Sequence, residues 1–174
     1  PQPCDYFHAQ VDLEHAKISS ILEDRDGNIW LGLFQKGVFM QPHQDSGFSY
    51  VGYKSGRYDI IGSACVMSVY AGKDCTLWVG TDNDGLYALD MKSYAVSHYS
   101  SDTGGLPATI TSIVEDKDGK LWLGSYLGGA GWLDRQTGQF NRLPFTCRGM
   151  AVHVFRLLAD AEDNLWIATL GDGL

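Results

Sequence analysis

The chain has 174 residues, 44% of them apolar and 20% charged, which is typical of a folded globular protein with its own core. The formal net charge of −8, with 13 scattered Lys and Arg residues, argues against a nucleic-acid partner, because binding to phosphate backbones needs clustered cations. No uncharged apolar run approaches about 18 residues, and the start "PQPCDYFHAQVDLEH" has no basic leader. The sequence therefore predicts no membrane span and no export signal in this segment.

The cysteines give no sign of a metal centre. Cys4, Cys65, Cys75 and Cys147 form no CxxC pair and have no histidine at zinc-finger spacing. The sequence therefore predicts no metal and no cofactor. Cys65 and Cys75 flank one predicted strand and so lie on the order of 20 Å apart, outside disulfide reach. The disulfide state stays open.

Four tryptophans mark an internal repeat. Trp30, Trp78, Trp122 and Trp166 are separated by 48, 44 and 44 residues. An Ile or Val stands twelve residues before each Trp, and an Ile or Leu stands directly before it. The residues two positions after each Trp are Gly32, Gly80, Gly124 and Ala168.

Taken in chain order, the segments are expected to be strands. Residues 1–16 are predicted to hold the last strand of a preceding repeat, around "DYFHA". Three complete repeats of four short strands are then predicted at 17–62, 63–106 and 107–150, and a partial one at 151–174. In the third repeat the strands are "TSIVED", "LWLGS", "AGWLD" and "QFNRL".

The turn between the first two strands of each repeat carries its own signal. The pairs Asp26-Gly27 and Asp118-Gly119 predict two-residue hairpins of type I′, which need positive φ. The other two repeats have Asp74-Cys75 and Glu162-Asp163 there, so their turns are expected to differ or to be strained.

A repeat of about 44 residues with four antiparallel strands predicts the blade of a β-propeller, an all-β fold. The second strand of each blade is apolar at successive positions because neighbouring blades cover both of its faces. The four repeat tryptophans are therefore predicted to be core residues. Gly32, Gly80 and Gly124 are expected to leave room for a large ring nearby.

The phrases "ITSIVEDKDGKLWLGSYLGGAGWLD", "VMSVYAGKDCTLWVGTDNDGLYALD" and "ISSILEDRDGNIWLGLFQKGVFMQ" resemble the two-component regulator propeller repeat. This resemblance implies a noncatalytic, periplasmic or extracellular ligand-sensing segment of a hybrid two-component or histidine kinase protein. It also implies glycan fragments as one class of ligand. Because members of this family commonly fill seven-bladed rings, we expect about four blades that form an arc of a larger propeller. A closed four-bladed ring is the alternative.

Ligands of propellers usually meet the face formed by two kinds of connection, those between second and third strands and those between blades. The long connection "YKSGRYDIIG" between the first two blades combines aromatic rings with hydrogen-bonding groups, which suits a sugar ring. The predicted ligand-binding residues are Tyr53, Arg57, Tyr58, Asp59, Lys36, Tyr126 and Arg148.

Two other functional classes stay open. A propeller lyase or hydrolase would need facing carboxylates or a nucleophile beside a base, and the sequence singles out no catalytic residue. A pure interaction scaffold would use exposed blade faces and strand edges. The expected partners are a small-molecule ligand, for which an oligosaccharide is the suggested class, and either further blades of the parent protein or a second copy of this chain.

Overall fold

The computed structural model of the chain describes residues 16–41, 43, 49–51, 61–62, 64–147 and 150–174. The chain consists of two compact units, residues 1–66 and 67–174. The described part is built from β-strands and one helical turn, so the predicted all-β fold class is confirmed. No helix in the described ranges is long and apolar enough to cross a membrane.

The first unit contains one four-stranded antiparallel sheet. Its strands are β1 (Ile18–Glu23), β2 (Ile29–Leu33), β3 (Gly37–Gln41) and β4 (Ser49–Val51), and they lie side by side in chain order. Neighbours in sequence are neighbours in the sheet, as is usual for strands joined by connections of few residues. One buried cluster of this sheet comprises Leu31, Leu33 and Phe39.

The second sheet repeats the same arrangement. Its strands, again in chain order, are β5 (Val66–Ala71), β6 (Thr76–Thr81), β7 (Leu86–Asp90) and β8 (Val96–Tyr99). A single helical turn, α1 (Ser101–Gly104), follows β8. The predicted four-strand repeat is therefore present in both units.

The third sheet is also complete. It comprises β9 (Ile110–Glu115), β10 (Leu121–Ser125), β11 (Gly129–Leu133) and β12 (Phe140–Arg142), with each strand antiparallel to the next. Trp122 of β10 lies opposite Val114 of β9 on one side and Trp132 of β11 on the other. The strands quoted from the sequence of this repeat match these within one residue or two.

The last part of the chain forms two small sheets. A ribbon of β13 (Thr146–Cys147) and β14 (Met150–Ala151) precedes an antiparallel pair, β15 (Val154–Ala159) and β16 (Leu165–Thr169). This pair corresponds to the first two strands of a repeat. The ribbon spans the predicted boundary after residue 150, and the predicted domain boundaries themselves stay a prediction.

Within the second unit, neighbouring sheets pack face to face through apolar clusters. Between the second and third sheets the cluster includes Trp78 and Leu86 on one side and Ile110, Ile113 and Leu123 on the other. Between the third and last sheets, Val154 and Leu157 pack with Ala130, Val114 and Trp122. Each interface therefore includes the first strand of the later sheet and residues from the second and third strands of the sheet before it, Trp78 and Leu86 in one case and Trp122 and Ala130 in the other.

Hydroxyl groups reinforce these interfaces. Ser68 Oγ donates to the carbonyl of Ile110 at 3.2 Å, and Thr111 Oγ1 donates to the carbonyl of Val154 at 2.8 Å. The backbone N–H of Leu157 donates to Ser112 Oγ at 2.9 Å. These hydrogen bonds link the first strands of neighbouring sheets through side chains. The backbone of each first strand pairs with the second strand of its own sheet.

Gly80 and Gly124 allow this close approach. A Cβ at Gly80 would lie 2.7 Å from the Ile110 carbonyl oxygen, and a Cβ at Gly124 would lie 2.6 Å from Val154 Cγ1. The space beside each glycine is therefore occupied by the first strand of the next sheet. The expectation that these glycines make room for a large ring is wrong.

A hydrogen bond between an aspartate and the repeat tryptophan recurs in three of the four repeats. The indole Nε1 of Trp30 donates to Asp24 Oδ2 at 2.7 Å, and that of Trp122 donates to Asp116 Oδ2 at 2.8 Å. The other oxygen of Asp24 accepts the backbone N–H groups of Asp26 and Asn28 at 3.0 and 2.9 Å. The aspartate therefore ties the hairpin turn to the second strand.

These bonds hold the carboxylates in their charged form. Burial by itself would raise the pKa of Asp24, but hydrogen bonds from Trp30, Asn28 and Asp26 outweigh it and lower this pKa. The pKa of Asp116 is lowered in the same way, with burial opposed by the bond from Trp122. In the last sheet the bond from Trp166 is the main cause that lowers the pKa of Asp160 to about 2.

The second repeat lacks this aspartate. Gly72 stands at its position, and Trp78 Nε1 is buried without a hydrogen-bond partner among the described residues. The guanidinium of Arg135 lies over the Trp78 ring, 5.2 Å from its centroid, and its Nη1 is 2.9 Å from Asp74 Oδ2. A cation from the third sheet therefore packs on this indole and pairs with the adjoining turn.

The predicted turn type is wrong. The N–H of Asp24 donates to the carbonyl of Asn28 at 2.9 Å, which encloses a three-residue loop that ends at Gly27 with φ 80°. The same conformation is found at Cys75, with φ 65°, and at Asp163, with φ 70°. The expectation that the two turns without glycine differ is wrong, whereas the expected strain at these two residues is present.

The repeat tryptophans differ in exposure. Trp30 and Trp78 are each 3% exposed, and Trp122 is half-buried against the last sheet. Trp166 is 46% exposed. The last sheet covers Trp122 of the third sheet, but no described residue covers Trp166 in the same way. Three of the four indoles are thus packed, and the fourth stands on an open face.

Candidate functional site

In the second unit, one end of each sheet carries two kinds of connection. One kind joins the second strand to the third, and the other enters the first strand of the next sheet. We call the surface that they form the loop face. It consists of residues 82–84, 107–109, 126–128, 152–153 and 170–172.

A polar corner lies at the second sheet. Thr109 Oγ1 donates to Asp82 Oδ1 at 2.9 Å, and the N–H of Asn83 donates to Thr109 Oγ1 at 3.3 Å. The N–H of Gly85 donates to the Ala108 carbonyl at 2.7 Å, so the backbone also joins the two connections. The Asp82 carboxylate is thus fixed at the surface by the next sheet's entering segment.

An aromatic pair lies at the third sheet. The rings of Tyr126 and His153 are stacked, with centroids 4.9 Å apart and planes inclined by 25°. His153 Nδ1 is hydrogen-bonded to the Tyr126 carbonyl oxygen, and because a carbonyl oxygen can only accept, Nδ1 is the donor. Tyr126 remains 44% exposed and its neighbour Leu127 is 70% exposed. This corner offers a flat apolar surface beside hydrogen-bonding groups.

The two corners are joined by a close contact. The N–H of Gly128 donates to Ser125 Oγ at 3.0 Å, and a Cβ at Gly128 would collide with the ring of Pro107. The turn that carries Tyr126 therefore rests directly on the segment that leads to Thr109. Leu170 N donates to the His153 carbonyl at 2.9 Å, which extends the same surface to the last sheet.

A second group of polar rings lies at the outer edge of the second sheet. Tyr87 Oη donates to Asp84 Oδ2 at 2.6 Å, and the Tyr87 ring stacks on His98 with centroids 4.2 Å apart. His98 Nε2 is 2.6 Å from the Asp84 carbonyl oxygen. These groups bond mainly to one another, so they fix the turn after β6.

The two predicted ligand residues that the structure describes lie in different units. Lys36 is exposed in the turn between β2 and β3 of the first unit, and Tyr126 belongs to the aromatic pair of the second. The others lie outside the described residues; they are Tyr53, Arg57, Tyr58, Asp59 and Arg148. Across the described ranges, no three His, Cys, Asp or Glu side chains could jointly hold a metal ion.

Sequence reasoning missed His153 and Thr109 as site residues. Both stand thirteen residues before a repeat Trp, at the end of the segment that enters a first strand. Their equivalents in the first two repeats are Lys17 and Cys65. The residue type at this position differs in every repeat, although the residues around it recur. This variation is the signal that would have identified the position as a candidate site.

A cleft of about 400 Å³ lies along the edge of β16. Its lining residues include Phe145, Val152, Ile167 and Leu174. In the three complete sheets the third strand lies beside the second at the equivalent place. The cleft therefore lies at the position that the third strand occupies in the complete sheets, and the loop face is the better candidate for a small-ligand site.

The comparison with protein families agrees with this architecture. The family model described as two component regulator propeller matches residues 12–35 and 104–127, which surround the first and third repeat tryptophans. These two segments are therefore similar to the regulator propeller repeat, and the resemblance predicted from the sequence is confirmed. A search of curated proteins finds no significant match.

Solved structures show the same fold. The extracellular domain of the putative hybrid two component system BT3049 from B. thetaiotaomicron is 22% identical, with a TM-score of 0.74 over 88% of this chain and 20% of that one. The extracellular domain of the putative one component system BT4673 from the same organism is 24% identical, with a TM-score of 0.58 over 92% of this chain and 26% of that one.

A third structure is the WD40 β-propeller domain of Doa1, which is 9% identical, with a TM-score of 0.68 over 91% of this chain and 49% of that one. Together with the repeated four-stranded sheets, these likenesses identify the fold as that of β-propeller blades. The chain spans about a fifth to a quarter of the length of the two bacterial extracellular domains.

Proposed function

We propose that this chain is a segment of a noncatalytic, ligand-sensing propeller in a signalling protein, and that the loop face of its second unit contributes to the ligand site. The regulator propeller repeats support this role. So does the likeness to extracellular domains of putative signalling systems, which also supports a periplasmic or extracellular location. In this proposal the segment is an arc of a larger ring, and the parent protein is a hybrid two-component or histidine kinase protein.

The observation that carries the ligand site is the stacked pair of Tyr126 and His153 beside the polar corner of Asp82 and Thr109. An exposed ring next to fixed carboxylate and hydroxyl groups suits a ligand with an apolar face and a rim of hydroxyls. A sugar ring has this character. We therefore propose an oligosaccharide as the ligand.

The remaining predicted ligand residues belong to this proposal as a second group, on the connections that approach the same kind of face. They are Lys36, Tyr53, Arg57, Tyr58, Asp59 and Arg148. Arg57 and Arg148 would supply donors to ligand oxygens. Replacing either with Ala is expected to weaken binding less than loss of the Tyr126 ring, because a hydrogen bond to the ligand replaces a hydrogen bond to water.

The experiment is a calorimetric titration of the chain against a panel of oligosaccharides, followed by variants at Tyr126. Tyr126→Phe keeps the ring, and Tyr126→Leu removes it. For a sugar that binds, we expect a loss of affinity of about tenfold in the Leu variant and a much smaller loss in the Phe variant, given the usual value of an aromatic contact.

Three results would contradict the proposal. If no sugar in the panel binds, the oligosaccharide assignment fails. If a sugar binds equally well to the Tyr126→Leu variant and to the unaltered chain, the ligand site lies elsewhere. Turnover of a bound sugar, measured in the same samples, would contradict the noncatalytic role.

A further inference from the structure

The charge of the loop face bears on which sugars it can accept. Its described residues include the carboxylates of Asp82, Asp84 and Asp172 and contain no Lys or Arg. A ligand with sulfate or carboxylate groups would therefore approach groups of its own charge, which weakens binding. The described part of the loop face favours an uncharged or a cationic ligand.

Asp84 is already engaged within the chain. Its Oδ2 accepts the hydroxyl of Tyr87 at 2.6 Å, and its Oδ1 is 3.4 Å from His98 Nε2. The backbone carbonyl of Asp84 also lies 2.6 Å from His98 Nε2. This carboxylate therefore serves the turn after β6 and is a poor candidate for a ligand contact.

Asp82 is the carboxylate that remains available beside the aromatic pair. It is half-buried, and its Oδ1 accepts the hydroxyl of Thr109 at 2.9 Å. Among the described residues, Asp82 has no ion-pair partner and no donor to Oδ2. Its negative charge is thus held in a fixed position, with one oxygen left to accept a hydrogen bond from a ligand.

A protonated amine is the ligand group that matches this carboxylate. A hydrogen bond between an ammonium and a carboxylate is roughly twice as strong as one between neutral groups. The face of an exposed tyrosine ring also attracts a cation. Asp82 and Tyr126 therefore favour the same charge on the ligand, although they belong to different sheets.

The loop face also carries apolar surface for the body of the ligand. Tyr126, Leu127 and Leu170 are 44%, 70% and 50% exposed. Leu170 is held next to the aromatic pair, because its N–H donates to the carbonyl of His153. An amine on a ring with an apolar side would meet a carboxylate and apolar side chains on one surface.

We propose that the oligosaccharide bound at the loop face carries unsubstituted, protonated amino groups, as a hexosamine does, and that Asp82 Oδ2 accepts a hydrogen bond from one of them. This inference rests on the proposed function and narrows its ligand class. Asp82 is then the residue that determines specificity, and the ring of Tyr126 packs on the apolar side of the sugar.

The test is a calorimetric titration of the full chain with three oligosaccharides that share one backbone of β-1,4-linked glucose units. They carry a hydroxyl, a protonated amine or an acetamide at C2 of each unit, which makes them a cello-oligosaccharide, a chitosan oligomer and a chitin oligomer. The pH is chosen to protonate the amine and leave aspartates ionised. The amine is thus compared with two uncharged groups.

Asp82→Asn is the variant for this test, since it removes the charge and keeps an oxygen that can accept from Thr109. The matched control is Asp118→Asn. Asp118 is exposed in the turn before β10, at the opposite end of the strand from the loop face. Circular dichroism checks that both variants are folded.

We expect the amino oligomer to bind the unaltered chain about tenfold more tightly than the hydroxyl or acetamide oligomer, which is the usual value of a hydrogen bond to a charged group. Asp82→Asn should lose this preference, and Asp118→Asn should keep it. The preference of the unaltered chain should also shrink as salt is raised, because salt screens exposed charges. This last measurement needs no variant and holds if Asp82→Asn fails to fold.

The results that would overturn the inference differ from those that would end the proposed function. If another sugar binds at Tyr126 but the amino oligomer binds no more tightly than its uncharged counterparts, the loop face remains a sugar site and the amine assignment is wrong. An amine preference that survives in Asp82→Asn, or that is lost equally in Asp118→Asn, would remove Asp82 from its role. Binding of no oligosaccharide at all would end both proposals.

Discussion

The indole N–H of Trp166 donates to Asp160 Oδ2 across 2.7 Å, and this bond is the main cause of an aspartate pKa of about 2. The same pair exists as Trp30 with Asp24 and as Trp122 with Asp116. The folded chain therefore stabilises the charged form of three carboxylates in equivalent turns relative to their protonated form. This relationship has a consequence for stability at low pH.

The chain is expected to lose stability as the pH falls. Because the pKa of Asp160 is lower in the folded state, the unfolded state takes up its proton first, near pH 4, and the fold is then disfavoured. The contribution is fully present above that pH and is lost as the pH falls through about 2. Urea unfolding between pH 5 and pH 2 measures it.

The matched variant for this prediction is Asp160→Asn, which retains an acceptor for the indole but has no proton to gain. Its free energy of unfolding should depend less on pH over that window than that of the unaltered chain. An unchanged slope would contradict the role given to Asp160.

Gly72→Asp is expected to stabilise the second unit. It supplies an acceptor to Trp78 Nε1, which is buried and has no partner among the described residues, and satisfying such a group is worth about 1–3 kcal/mol. The new Cβ would lie 2.7 Å from Asp74 Oδ1, so the end of that side chain has to move. Urea unfolding gives the change in stability.

Gly72→Ala is the control because it introduces the same Cβ without an acceptor. We expect it to be neutral or destabilising. If the Asp variant is no more stable than the Ala variant, the unpaired indole is not a cost to the fold.

Cys75→Gly is expected to stabilise the hairpin turn by about 1 kcal/mol, because Cys75 has φ 65° and only glycine adopts this conformation without steric cost. The reciprocal change at the equivalent position is Gly119→Ala. It should destabilise by a similar amount, since Gly119 has φ 81° and a Cβ there would meet nothing closer than Glu115 Oε1 at 3.4 Å. Effects of the same sign in thermal unfolding would refute the assigned strain.

Gly80→Ala is expected to destabilise the interface between the second and third sheets by about 1–3 kcal/mol, the usual cost of overpacking. Its Cβ would lie 2.7 Å from the carbonyl oxygen of Ile110, which is backbone and cannot rotate away. Ser68 Oγ also lies in the way. The double variant with Ser68→Ala should therefore remain less stable than Ser68→Ala alone, and full recovery would show that the serine was the sole obstacle.

The strands could be predicted because each recurs at a fixed distance from a tryptophan, and burial between neighbouring sheets requires the same apolar positions every time. The turn type could not, because Asp26-Gly27 looks like a two-residue loop. Asp24 decides otherwise, since its side chain accepts the N–H groups of Asp26 and Asn28 and so stabilises the three-residue loop. The aspartate itself recurs six residues before Trp30, Trp122 and Trp166, a regularity that the sequence does contain.

The candidate site was less accessible to sequence reasoning. Tyr126 was predicted from its place in a connection, but its partner His153 follows it by 27 residues and belongs to the segment that enters the last sheet. They are in contact because the turn after β10 packs against the segment that leads into β15. Spacing along the chain does not encode which entering residue faces which turn.

Neighbouring sheets of the second unit share no strand pairing among the described strands; the bonds from Ser68, Thr111 and Ser112 link them instead. A stretching force applied to this unit would therefore act on separate hydrogen-bonded sheets and not on one continuous sheet. Extension in discrete steps, one sheet at a time, is the mechanical signature of such a construction.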